Sequence, residues 1–168
     1  MSDGSFFAVH FLKIIFIYSL LFFMIILNLT HLPFFGEDGA RFSFLLIGVY
    51  FWLIYRPALI PYPLLFVSGL LLDILSGGLV GLNALCFMVL GIIVRNQRRY
   101  LLGQSWSVVW AGFCVAAIIV SSIQFLSYSL AYLAFPTLLP IFFGLVVSFL
   151  LYPVLLPFMM FLNRLLND

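Results

Sequence analysis

Charge is what this chain has least of: seven Lys or Arg, five Asp or Glu and two His among 168 residues, or 7% charged. A soluble domain carries about a quarter charged residues, whereas here 66% are hydrophobic and the mean hydropathy is +1.31. No hydrophilic stretch exceeds about ten residues, which leaves no room for a separate water-soluble domain. A formal net charge of +2, spread over short loops, makes no electrostatic footprint for nucleic acid. Two cysteines, Cys86 and Cys114, both within apolar runs, form neither a disulfide framework nor a zinc site and read as small buried hydrophobes. The two histidines, His10 and His31, sit near opposite ends of the first apolar run, with no acid or second His at ligand spacing, so no metal is expected.

What is there is apolar sequence, enough for an all-α integral membrane protein with a single domain and a polytopic bundle of helices. Crossing a bilayer core of about 30 Å takes about 20 apolar residues. Read this way, the chain predicts six helices at about 14–32, 42–55, 62–75, 79–94, 107–135 and 139–162. The first is longer than a signal-peptide core and Asn28 to Pro33 offers no small-residue cleavage site, so it is expected to be retained. Residues 33–41, with Pro33, Glu37, Asp38 and Arg41, read as an extramembrane loop. Tyr50, Trp52 and Tyr55 suit a headgroup layer at the end of the second helix. Pro57, Pro61 and Pro63 then force a turn. The third and fourth helices are short, and either cross fully or form a re-entrant hairpin; full crossing is the expectation adopted.

Six crossings place both termini on one side. With that side cytoplasmic, Lys13, Arg56, Arg95, Arg98, Arg99 and Arg164 fall inside and only Arg41 outside, as the bias of basic residues toward the cytoplasm requires. Arg95, Arg98 and Arg99 then read as cytoplasmic anchors in the loop after the fourth helix.

The unusual residues concentrate between Arg56 and Leu85. Asp73 is an acid within an apolar helix, which is costly and marks either a binding site or a structural role. Its place three residues before Ser76-Gly77-Gly78 allows it to be hydrated or to accept from the exposed amides of the next helix. Arg56 lies seventeen residues away, roughly 25 Å along an intact helix, so a direct salt bridge between them is not expected. Arg56 reads instead as an anchor at the end of the second helix. Gly77 and Gly81 have the small-xxx-small spacing of a helix contact, or Gly77-Gly78 simply form the turn. In the fifth helix Ser121, Gln124, Tyr128 and Tyr132 share one face, read as interhelical hydrogen bonding or as one wall of a small-molecule pocket. Catalytic patterns are thin. Asp38-Gly39-Ala40-Arg41 starts like a membrane phosphatidyltransferase motif, but the further aspartates a two-metal site needs are missing. There is no G-x-S-x-G.

Arg56-Pro57, Pro61, Pro63, Phe66, Gly69 to Asp73, Ser76-Gly77 and Gly81-Leu82-Asn83-Ala84-Leu85 together resemble the core pattern of the bacterial rod shape-determining protein MreD family. The specific likeness covers about thirty residues, and the remainder agrees in length and hydropathy. The resemblance implies a non-catalytic inner-membrane protein without cofactor, working in the elongation machinery that guides lateral peptidoglycan synthesis. Its implied partners are the bitopic MreC, the rod-complex glycosyltransferase and transpeptidase, and, indirectly, the MreB filament, all at the lipid bilayer. It also implies a six-helix fold similar to the substrate-binding subunits of energy-coupling-factor transporters. On this reading Arg56, Pro57, Gly69, Asp73, Gly77, Gly81 and Asn83 are candidates for a partner interface. A vitamin-like ligand on the face of Ser121, Gln124, Tyr128 and Tyr132 is the alternative.

Overall fold

The computed structural model describes residues 3–29, 43–133 and 138–165, with side chains from Lys13 onward. His31, Glu37, Asp38 and Arg41, and with them the expected loop at 33–41, lie outside the described residues, as does the side chain of His10. Six α-helices and one short 3₁₀ turn are described, with no strand among these residues: α1 Asp3–Leu29, α2 Phe44–Tyr55, the 3₁₀ turn Pro57–Leu59, α3 Tyr62–Ser76, α4 Leu82–Leu101, α5 Trp106–Tyr132 and α6 Leu138–Leu165. α5 and α6 are long and apolar enough to cross a membrane by length and composition. Large side chains such as Phe23, Val67, Ile74, Leu126 and Leu150 stand exposed on the bundle's exterior. An exterior of this kind suits lipid, since water would be met by a nearly continuous apolar patch.

α2 is the centre of the bundle. Every residue from Leu45 to Ile54 is buried, consistent with a helix that is hydrophobic all round and packs against α1, α4, α5 and α6. This corrects the expected headgroup position of two of its rings. Tyr50 and Trp52 are 1% and 0% exposed, and Tyr50 donates its hydroxyl to the Val109 carbonyl at 3.0 Å. Tyr50, Phe113 of α5 and Tyr152 of α6 form one aromatic cluster, with Phe113 and Tyr152 stacked at 4.4 Å and Tyr50 edge-on to both. Hydropathy ranked α2 as apolar but could not say that four other helices would pack against it. Tyr55, half-buried, lies against Phe51 with ring centroids 4.5 Å apart.

α6 contains Pro153 and Pro157. Pro153 has no N–H for the carbonyl one turn earlier, that of Phe149, and the Trp110 indole of α5 donates to this freed oxygen at 3.0 Å. Trp110→Phe is therefore expected to destabilise the chain by about 1 kcal/mol. In a Pro153→Ala background the helix supplies its own donor, and the same substitution should cost clearly less. Thermal unfolding in detergent of the four forms measures this; equal losses in both backgrounds would contradict the account.

The corner between α2 and α3 works by the same logic. Pro57, Pro61 and Pro63 lack amide donors, so carbonyls here go without helical partners. Arginines of α4 supply the donors: Arg98 Nε reaches the Ile54 carbonyl at 2.6 Å, and Arg95 Nη2 reaches the carbonyls of Pro57, at 3.3 Å, and Ile60. The Arg95 guanidinium also lies 4.2 Å from the Tyr62 ring centroid. For this reason α4 does not stop near Val94 but continues to Leu101, carrying Arg95, Arg98 and Arg99 as helical residues rather than loop residues. At its other end it begins at Leu82, three residues later than expected, because Gly81 occupies a left-handed conformation. α1 begins at Asp3, well before the expected start, and α5 stops at Tyr132, ahead of Leu133 at φ 49.

Candidate functional site

α3 and α4 form the most extensive helix pair in the bundle. Their contact depends on Gly69: a Cβ there would stand 2.5 Å from the Ala84 nitrogen and 2.7 Å from the Asn83 carbonyl carbon, backbone atoms that cannot move aside. Glycine lets the two helices touch backbone to backbone. Ser68, next to it, is buried and returns its hydroxyl to the Leu65 carbonyl at 3.0 Å, satisfied within its own helix.

Gly77 ends α3 in the left-handed region (φ 64) and Gly81 precedes α4 there as well (φ 93). An added Cβ at either position would have nothing within 4 Å. These two glycines serve the turn through backbone conformation, not close helix packing, whatever their spacing suggests.

Asp73 closes the turn. It is 1% exposed. Its Oδ2 accepts the Gly81 N–H at 2.9 Å, both oxygens accept the Asn83 N–H at 3.1 and 3.2 Å, and Oδ1 accepts the Asn83 side-chain amide at 2.7 Å. The first amides of a helix have no partner within it, and the helix dipole favours negative charge there. Asp73 therefore caps α4 from the preceding helix, holding the amides of Gly81, just before α4, and of Asn83, in its first turn. Ser76 Oγ adds a 3.3 Å bond to the Asp73 carbonyl.

The network continues into α5. Gln124 Nε2 donates to Asn83 Oδ1 at 2.8 Å, so one polar chain runs Asp73, Asn83, Gln124 across three helices. Tyr128, one turn further along α5, places its hydroxyl 2.9 Å from where a Gly78 Cβ would be and stacks on Tyr132 at 6.0 Å. Gln124 and Tyr128 also line a cavity of about 100 Å³ shared with Asn28, Ser43, Ser76 and Asn83. Of the expected face on α5, Ser121 is half-buried outside the cavity lining and Tyr132 is exposed.

The basic residues gather at the opposite end. Arg56, at the start of the corner, donates Nε to Asn163 Oδ1 of α6 at 2.9 Å, and its Nη2 reaches the Asn163 carbonyl at 3.5 Å. Arg95 and Arg98 hold the corner's carbonyls, while Arg99 and Arg164 are exposed. Pro57 begins the 3₁₀ turn and gives its carbonyl to Arg95. Of the sequence candidates, the structure brings Asp73, Gly81, Asn83 and Gln124 together directly, places Gly69 one helical turn before Asp73, and leaves Arg56 and Pro57 at the other end. Sequence reasoning missed Asn163, and it placed Gln124 on a face for interhelical hydrogen bonding without identifying Asn83 as its partner. An amide in the last turn of an apolar helix was the available signal for the first; nothing in the sequence marked the pairing of the second.

Among the described residues no three His, Cys, Asp or Glu side chains converge as metal ligands. Cys86 and Cys114 are free thiols, and Cys86 is buried with its sulfur 4.0 Å from the Val120 carbonyl. Comparison with curated proteins and with solved structures finds no match. The family model of rod shape-determining protein MreD, in contrast, matches residues 9–166, nearly the whole chain. Together with the apolar exterior and the two bilayer-length helices, that match places the chain in the MreD family, as a membrane protein of rod shape determination.

Proposed function

We propose that this chain is a non-catalytic scaffold of the cell-elongation complex, which supports lateral peptidoglycan synthesis by packing against the membrane helix of an MreC-like bitopic partner. The rod-complex glycosyltransferase and transpeptidase would assemble around that pair, with the MreB-like filament coupled indirectly. All six helices cross the inner membrane on this reading, with both termini in the cytoplasm. The basic end formed by Arg56, Arg95, Arg98, Arg99 and Arg164 is then cytoplasmic and the Asp73 turn is outside.

The observation that carries the reading is the α3–α4 hairpin. Gly69, Asp73 and Asn83 are spent on contacts within the chain, and their effect is to present a fixed outer face with Val67 56% and Ile74 61% exposed, two turns apart on α3. The interface candidates thus shape the docking surface rather than form it. A pull-down of an MreC-like partner from membranes tests this. Val67→Trp with Ile74→Trp should reduce recovery at least five-fold while leaving the isolated chain's thermal midpoint unchanged. Undiminished recovery would remove α3 as the docking face.

The small-molecule reading has less support. The cavity beside Gln124 and Tyr128, at about 100 Å³, is well below the ~300–1,000 Å³ of typical ligand pockets, so a vitamin-sized molecule has no room there.

A further inference from the structure

The cavity at the Asp73 end has a lining unusual for so apolar a chain. Asn28 from α1, Ser43 ahead of α2, Ser76 at the end of α3, Asn83 from α4, and Gln124 and Tyr128 from α5 all border it, beside apolar walls that include Leu46 and Phe87. Cavities that stay empty in proteins are apolar, whereas a polar one of sufficient size holds water. One group here demands a guest: Asn28 Oδ1 is fully buried and has no hydrogen-bond partner among the described residues.

The lining also defines the guest's chemistry. None of the lining residues is charged, because the nearby Asp73 carboxylate is turned onto Gly81 and Asn83. The guest is therefore neutral. It must donate to Asn28 Oδ1, and it meets hydroxyls of Ser43, Ser76 and Tyr128 that can donate or accept. About 100 Å³ is several times the ~10–15 Å³ that one water needs, room for a small cluster.

We propose that this chamber is a water-binding site, in which a small cluster of waters satisfies Asn28 and bridges α1 and the start of α2 to α4 and α5. The waters extend the chain of Asp73, Asn83 and Gln124 to Asn28, so that the four polar groups at this end form one hydrogen-bonded unit across the bundle.

Radiolytic hydroxyl labelling in ¹⁸O water tests it, because radicals formed on a bound water mark the side chains beside it. Phe87 is only 3% exposed, so bulk solvent does not reach it. The native chain in nanodiscs should incorporate ¹⁸O at Phe87 and Tyr128, and Asn28→Leu, which removes the acceptor and fills space, should lower Phe87 labelling at least three-fold. Native labelling of Phe87 at background would overturn the proposal, and that measurement needs no variant. Unchanged labelling in Asn28→Leu would overturn it too. So would a raised thermal midpoint in that variant, which is the result a dry, unpaired carboxamide predicts.

Discussion

Asp73→Leu is expected to lower the stability of the purified chain by about 3 kcal/mol, a fall of roughly 6 to 12 °C in thermal midpoint for a protein of this size. The substitution is apolar and of suitable shape for a helix in a membrane, so hydropathy alone predicts a gain. The loss comes from three donors that Asp73 now satisfies: the Gly81 N–H, the Asn83 N–H and the Asn83 side-chain amide. Hydrogen bonds to a charged acceptor stabilise by ~1.5–3 kcal/mol each in water-soluble proteins, but bonds within membranes average only ~0.6 kcal/mol. About 1 kcal/mol per donor lies between those limits. Asp73→Asn should lose about half as much, since it keeps one acceptor oxygen but turns an NH₂ toward donors. Melting the detergent-solubilised chain with no partner present gives the readout. An unchanged midpoint for Asp73→Leu would mean that the residue acts outside the chain.

The second large effect is at Gly69. Gly69→Ala should cost about 2–3 kcal/mol, because the new methyl meets the Ala84 and Asn83 backbone and can be accommodated only by prising α3 from α4. The turn glycines provide the contrast. Gly77→Ala has open space and fails only on its left-handed backbone, at about 1–2 kcal/mol. Asparagine tolerates that conformation, so Gly77→Asn should be nearly neutral, while Gly69→Asn should be the most damaging of the four. Thermal midpoints of these variants separate close approach from backbone conformation. A Gly77→Asn loss as large as that of Gly69→Asn would show that the two positions serve the same purpose, against the account.

Much of this arrangement can be read in the residues. The apolar runs mark six helices, the prolines mark the corner, and the place of Asp73 just before Ser76-Gly77-Gly78 already offers the amides of the next helix as its partners. What is illegible depends on which helices become neighbours. Tyr50 and Trp52 look interfacial because amphipathic rings favour headgroups, yet α2 is enclosed and the Tyr50 hydroxyl is satisfied by a carbonyl of α5. Arg95 and Arg98 look like loop residues because charge and bilayer are poor companions, yet they fold back onto carbonyls that the prolines leave unpaired. The Gly77 and Gly81 spacing fits a helix contact, but a spacing cannot reveal the sign of φ. Gln124 could be placed on a polar face, although its partner Asn83 is forty-one residues away and becomes a neighbour only through packing.

The most direct test of an Asp73 that works within the chain is a double-mutant cycle between Asp73→Leu and Asn83→Ala, measured on the isolated protein by thermal unfolding. Direct contact at 2.7 Å predicts a coupling of at least ~0.5 kcal/mol, with the double variant less destabilised than the sum of the singles. Additive losses, or no loss from either change, would contradict the claim that Asp73 holds the start of α4.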